Sequence, residues 1–201
     1  IFNLEALLLK KLLLALAALI ALSPVPGRGE QPVPSGTAVI AATPVPVSEY
    51  TYKELTSKTL GMRFLYPSHW ENLPGRSTVC FREPRADGSV PARMAISVKQ
   101  MSKRADGDKM QSELVKYLKA IVAQYESYEI GNLSTDTEFM GKDGYSTIYK
   151  AVKDGRTVRG YAIMACVGTK IYAFHFSADE QSYQDMATVM QHVRDNIKAA
   201  N

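Results

Sequence analysis

Three histidines and two cysteines are the side chains of this 201-residue chain best suited to proton transfer, metal binding or nucleophilic attack. The histidines are His69, His175 and His192; the cysteines are Cys80 and Cys166. A metal site needs three or four ligands, and none of these residues has a second ligand close to it in sequence. His175, between Phe174 and Phe176, reads as an ordinary sheet histidine. A cysteine nucleophile needs a positioned base. Cys166 and His175 fall on one predicted sheet face, so a hydrolase built on Cys166 and His175 is the enzyme alternative. A disulfide between Cys80 and Cys166, or two inert thiols, is the simpler account.

No nucleophile elbow, phosphate loop, His-Glu-x-x-His helix or dinucleotide fingerprint occurs. Gly141-Lys142-Asp143-Gly144 resembles a fragment of a phosphate loop, but between two strands it reads as a turn. Trp70 can stack a sugar or base; directly after Pro67 it reads as a plug at the sheet end. Asp179-Glu180 sits at a helix start, where negative charge favours the helix dipole. The expectation is therefore a chain with no catalytic, metal-binding or cofactor-binding residues to assign.

The elements that would position these groups follow from periodicity. Met62–Tyr66, Thr78–Glu83 and Ala92–Met101 alternate apolar and polar residues as strands do. Asp108 opens a helix with Gln111 at the capping-box offset; Met110, Leu114, Leu118, Ile121 and Tyr125 form its core stripe. A meander follows, with strands near 130–140, 145–153, 156–167 and 170–177. Its turns are Lys142-Asp143-Gly144, Asp154-Gly155 and Gly168-Thr169. Asp-Gly supplies the positive φ angles of a two-residue hairpin. A last helix over 179–198 is capped by Ser177 with Glu180 and buries Tyr183, Met186, Met190, Val193 and Ile197.

The Asp154-Gly155 turn sets a register. Lys153 faces Arg156, Ile148 faces Tyr161 and Thr147 faces Ala162; through the next turn Ile163 faces Phe174 and Ala162 faces His175. One face then holds Ile148, Tyr161, Ile163, Tyr172, Phe174 and Phe176. The other holds Thr147, Tyr149, Ala162, Cys166, Ala173 and His175. The first is the richer core, and the helices are expected to cover it.

Lys10 and Lys11 precede eleven apolar residues, Leu12–Leu22. A basic flank before a short apolar run is the pattern of a removable signal peptide, whereas a membrane span needs about 20 apolar residues. The expected organisation is a signal peptide over 1–27, a proline-rich extracytoplasmic spacer over 28–49 and one α+β domain over 50–201. Six of the ten prolines fall within residues 24–46, and Pro-Val-Pro recurs three times, which favours an extended spacer.

The formal charge of +4 is too small to argue for nucleic acid. Basicity is concentrated in residues 76–109, with eight basic residues against four acidic ones. That region reads as a charged sheet edge, or as a surface for weak contact with anionic membrane or cell wall.

The first strand carries Gly61-Met62-Arg63-Phe64 and runs into Tyr66-Pro67-Ser68-His69-Trp70. With the order three strands, helix, four-strand meander, helix, this resembles the PsbP-like family over about residues 50–200. Its founding members are lumenal subunits of photosystem II, and many bacterial envelope proteins share the domain. The resemblance implies an α/β/α sandwich around an antiparallel sheet of about six to seven strands with two main helices. It also implies an exported, non-enzymatic binding or assembly domain of the cell envelope. A structural cell-surface module is the alternative. The expected partner is an unknown protein or envelope component, and no cofactor is implied.

Overall fold

The computed structural model describes residues 50–75, 77–85 and 88–200. The signal-peptide and spacer readings, residues 1–49, lie outside these. Among the described residues no helix is long and apolar enough to cross a membrane.

Among the described residues eleven strands and two helices follow in the order β1 (Tyr52–Ser57), β2 (Met62–Pro67), β3 (Glu71–Pro74), β4 (Thr78–Arg82), β5 (Arg93–Gln100), α1 (Gly107–Val122), β6 (Ser127–Ile130), β7 (Ser134–Phe139), β8 (Lys142–Lys153), β9 (Arg156–Val167), β10 (Lys170–Asp179), α2 (Glu180–Asp195) and β11 (Lys198–Ala199). The main sheet is antiparallel, in the order β3-β4-β5-β10-β9-β8-β6, with β7 also paired to β8. A second sheet has the order β1-β2-β11. The framework is thus α+β, larger than the six or seven strands expected by one small sheet and one extra edge strand.

The hairpin registers fall where the turn chemistry predicts. Lys153 pairs with Arg156, and both Asp154 (φ 51°) and Gly155 (φ 69°) take the positive φ that the two-residue turn demands. Ile148 faces Tyr161, Ile163 faces Phe174 and Ala162 faces His175.

The two helices lie on opposite faces of the main sheet, not together on the richer one. On the α2 side, Phe81, Met94, Ile96, Ile163, Phe174 and Phe176 pack against Met186, Val189 and Val193 of α2. The small sheet shares this layer: the Phe64 ring meets Phe81 edge-on at 5.7 Å, and Tyr66 stacks on Phe81 at 4.5 Å. On the α1 side, Leu114, Leu118 and Val122 pack against Ala151, Ala162, Met164 and Ala173. The alanines make that face shallow rather than uncovered, so a helix can approach closely. A sheet buried on both faces loses its apolar–polar contrast, which is why β10 is buried without a break from Ile171 to Asp179. Ile148, expected in the core, is exposed, because α2 packs on β10, β9 and β2 rather than on the middle of β8.

Several local readings shift. The strand expected over 130–140 is two strands, β6 and β7, which pair with the two halves of β8. The turn expected at 142–144 falls at Met140 and Gly141, both at positive φ, and Gly144 lies inside β8 opposite Thr137. Asp106 caps α1 by accepting from the Lys109 amide at 2.9 Å. Asp179 caps α2 by accepting from the Gln181 amide at 3.1 Å, because Ser177 is held within β10. β1 had no counterpart among the expected strands.

Candidate functional site

Side chains alternate along strands, so antiparallel register lines up transverse rows on each face. On the α1 side one row runs Glu71, Arg82, Arg93, Ser177, Gly160 and Tyr149, each opposite the next across six strands. The neighbouring row runs Cys80, Ala95, His175, Ala162 and Thr147. Polar and ionisable groups are gathered here, under and beside α1.

Gly160 opens a lane in this surface. The Tyr149 ring lies over it so closely that a Cβ there would sit 2.2 Å from two ring atoms. The ring thereby spans β9, and its hydroxyl meets His175 Nε2 at 2.9 Å. The two rings are stacked with 6° between their planes. Tyr149 is 1% exposed and His175 7%. Burial, with the Arg93 charge adding to it, pushes the His175 imidazole down to about 4, so the ring is neutral at pH 7. Burial likewise raises the Tyr149 hydroxyl well above its ordinary value, with Tyr125 contributing.

Tyr117 of α1 reaches over the same cluster, its ring centroid 6.5 Å from that of His175 and its acidity suppressed by burial. Cys80 is pushed up to about 11 by burial, against a lowering influence from Arg93. A thiol of that kind is protonated and a weak nucleophile.

α1 packs on β8 and β9, whereas the β3–β4–β5 end of this face carries the partly exposed side chains Leu73, Cys80, Arg82, Arg93 and Ser97. Arg82 donates from Nε at 2.9 Å and from Nη2 at 2.5 Å to Glu71 Oε2. Arg93 makes no ion pair among the described residues, and its Nε is enclosed without an acceptor.

Cys166 and His175 share a face, as expected, but are not brought together. Cys166 lies opposite Ile171, four residues along β10 from His175, or roughly 13 Å. Cys166 Sγ instead donates to the Gly168 carbonyl at 3.4 Å. It lines an open cleft of about 400 Å³ at the start of α1, with Arg104, Asp106, Lys142 and Tyr145. A second cleft, of about 640 Å³, lies between β7 and the C-terminal segment, lined by Asp136, Arg194 and Lys198.

Cys80 and Cys166 are both free. They share a face but stand on β4 and β9, three strand spacings apart, or roughly 14 Å, far beyond the reach of a disulfide. Trp70 is 4% exposed within the α2-side core, which is the plug and not the stacking platform. His69 is exposed against Tyr50, and His192 against Tyr52, with ring centroids 4.9 Å and 4.4 Å apart. Among the described residues no three His, Cys, Asp or Glu side chains are grouped to hold a metal ion.

The basic stretch 76–109 is not a sheet edge, since β4 and β5 are flanked by β3 and β10. Much of its charge is answered locally: Arg82 by Glu71, Arg85 by Glu83, and Lys99 and Lys109 by the buried Glu113. Burial alone would raise the Glu113 carboxyl; hydrogen bonds from Lys99 and Lys109 outweigh it and hold the group below its usual range.

Sequence reasoning put Tyr149 and His175 on one face but did not anticipate their contact. The available signal was Gly160, a glycine inside a strand, which marks a close approach. Arg93 carried no such signal, because which groups face it depends on which strands flank β5.

No known protein family's sequence pattern matches the chain, and no curated protein matches it. Solved structures do. The cyanobacterial PsbP, CyanoP, of Synechocystis sp. PCC 6803 superposes with a TM-score of 0.56 at 15% identity, covering 83% of this chain and 98% of that one. A protein of Bacteroides thetaiotaomicron superposes with a TM-score of 0.51 at 14% identity, covering 74% of this chain and 48% of its own. The domain described here has the PsbP-like fold.

Proposed function

We propose that the chain is an exported, non-enzymatic binding or assembly domain of the cell envelope, held off the membrane or wall by its proline-rich spacer. The observation that carries this reading is the fold. The domain matches nearly the whole length of CyanoP, and behind it stands a basic flank followed by a short apolar run. Two features support a binding role over a catalytic one. Cys166 and His175 are four residues apart along adjacent strands, and the ionisable groups of this face, Tyr149, His175 and Cys80, are each shifted toward the uncharged form.

Fractionation of the expressing cell with N-terminal sequencing tests the proposal. The mature protein is expected in the envelope or extracellular fraction, beginning between about Pro24 and Gln31. Cross-linking from envelope extracts should then yield a discrete partner. Intact chain beginning at Ile1 in the cytosol would overturn the proposal.

A further inference from the structure

Arg82 and Arg93 stand directly opposite each other on β4 and β5, on the same face of the sheet. Like charges so placed repel, with Cβ atoms about 5 Å apart. Glu71 answers Arg82 alone. Lys153 adds a third cation within electrostatic reach of Arg93, with Asp154 acting on Lys153. The groups acting most strongly on Arg93 are Tyr125, Arg82, Cys80 and Tyr149, none of them a carboxylate. A guanidinium cannot shed its proton to relieve this, and an enclosed donor without an acceptor is costly. The Arg93 Nε is such a donor. Its other neighbours are hydroxyl groups: Ser177 opposite it on β10, and Tyr125 and Tyr149 nearby.

We propose that Arg93 anchors a binding site for a single oxyanion group, a carboxylate or a phosphate, at the β4–β5 end of the α1-side face. An oxyanion there supplies what the fold leaves out. It gives two acceptor oxygens to the side-on pair of Arg93 donors and the counter-charge that Glu71, held by Arg82, does not give Arg93. The neighbouring Cys80 and Leu73 are partly exposed, so this end of the face is open to solvent where the α1 end is not. Solvation of the outer guanidinium by water is the competing account, and it makes no demand on the chemistry of the anion.

This site rests on the reading of the chain as a binding domain and names the chemistry it would take. The two fail separately: cytosolic intact chain removes the envelope role, whereas the oxyanion site is read on purified protein.

The test is a titration of the full chain, followed through its arginine Nε–Hε NMR signals. Sodium phosphate and sodium acetate are added against sodium chloride at matched ionic strength, and the Arg93 signal is assigned by its loss in Arg93→Gln. The expected result is a saturable shift of the Arg93 signal with phosphate or acetate and none with chloride. Arg93→Lys keeps the charge but loses the side-on pair, and is expected to weaken binding about tenfold or more, as read on Ser177 and Tyr125 amides. Vesicles of phosphatidylglycerol, compared with phosphatidylcholine, separate the sources. Selective broadening by the anionic vesicles assigns a lipid headgroup, and a response to free anion alone assigns a soluble ligand. Absence of a saturable shift in the wild-type chain, or an equal response to chloride, would overturn the site. So would a binding response that survives unchanged in Arg93→Gln. If Arg93→Gln fails to fold, the Arg93 signal is assigned by its loss in Arg93→Lys, and the wild-type titration is read on it.

Discussion

Tyr149 on β8 hydrogen-bonds His175 on β10, two strands away, by laying its ring across Gly160 on the strand between them. The contact joins three strands of the main sheet beneath α1. It fills a polar gap in the α1-side core with groups that satisfy one another, the condition on which buried polar clusters are tolerated.

Gly160→Ala is therefore expected to destabilise the domain through overpacking. The new methyl has no room unless the Tyr149 ring moves, and the cost is about 1–3 kcal/mol from steric strain. Tyr149→Phe keeps the ring and removes the hydroxyl, leaving His175 short of a partner, at about 1–3 kcal/mol. Urea denaturation of both, and of the Gly160→Ala, Tyr149→Ala double variant, checks the geometry. The double variant should lose less than the sum of its single changes. Strict additivity would mean that the two positions do not touch.

His175 predicts a pH dependence. Its folded value, about 4, lies below its ordinary value of 6.5, so the unfolded chain binds a proton more readily. Stability from this group is complete above pH 6.5 and is lost as pH falls toward 4. The shift corresponds to about 3 kcal/mol. His175→Gln, which retains a partner for Tyr149, should flatten that part of the stability profile. Parallel curves for the two proteins between pH 7 and pH 4 would contradict the assignment.

Trp70 packs in the α2-side core with its indole Nε1 enclosed and the Tyr50 hydroxyl as the polar group facing it. Trp70→Ala should cost about 3–5 kcal/mol, as expected for truncating a buried aromatic side chain. Thermal unfolding measures it. An unchanged midpoint with weakened partner binding would make Trp70 a contact residue instead.

Both cysteines should titrate as free thiols in protein unfolded without reductant. In the native state Cys80, pushed up to about 11, should react with a thiol reagent far more slowly than a free cysteine would at pH 8. A single disulfide and no free thiol would show that β4 and β9 are not three strand spacings apart.

The sequence alone determined what depends on neighbouring residues. Strand alternation and the Asp154-Gly155 turn were enough to pair Lys153 with Arg156, and the Gly168-Thr169 turn set Ala162 against His175. They also placed Cys80 and Cys166 on one face, and Tyr149 and His175 together on it. Beyond the hairpins, tertiary structure alone decided which strands are neighbours, because that order depends on long-range packing and has no local signature. That order sets β5 beside β10, holds the two cysteines apart, and brings Glu71 to Arg82 while leaving Arg93 without a carboxylate among the described residues. It also decided that the helices cover opposite faces. The alanine-rich surface of Ala151, Ala162 and Ala173 looks poor as a list of residues, yet it is shallow enough to seat Leu114 and Leu118 of α1. Burial depends on the shapes of both partners, and only the folded chain puts the partners together.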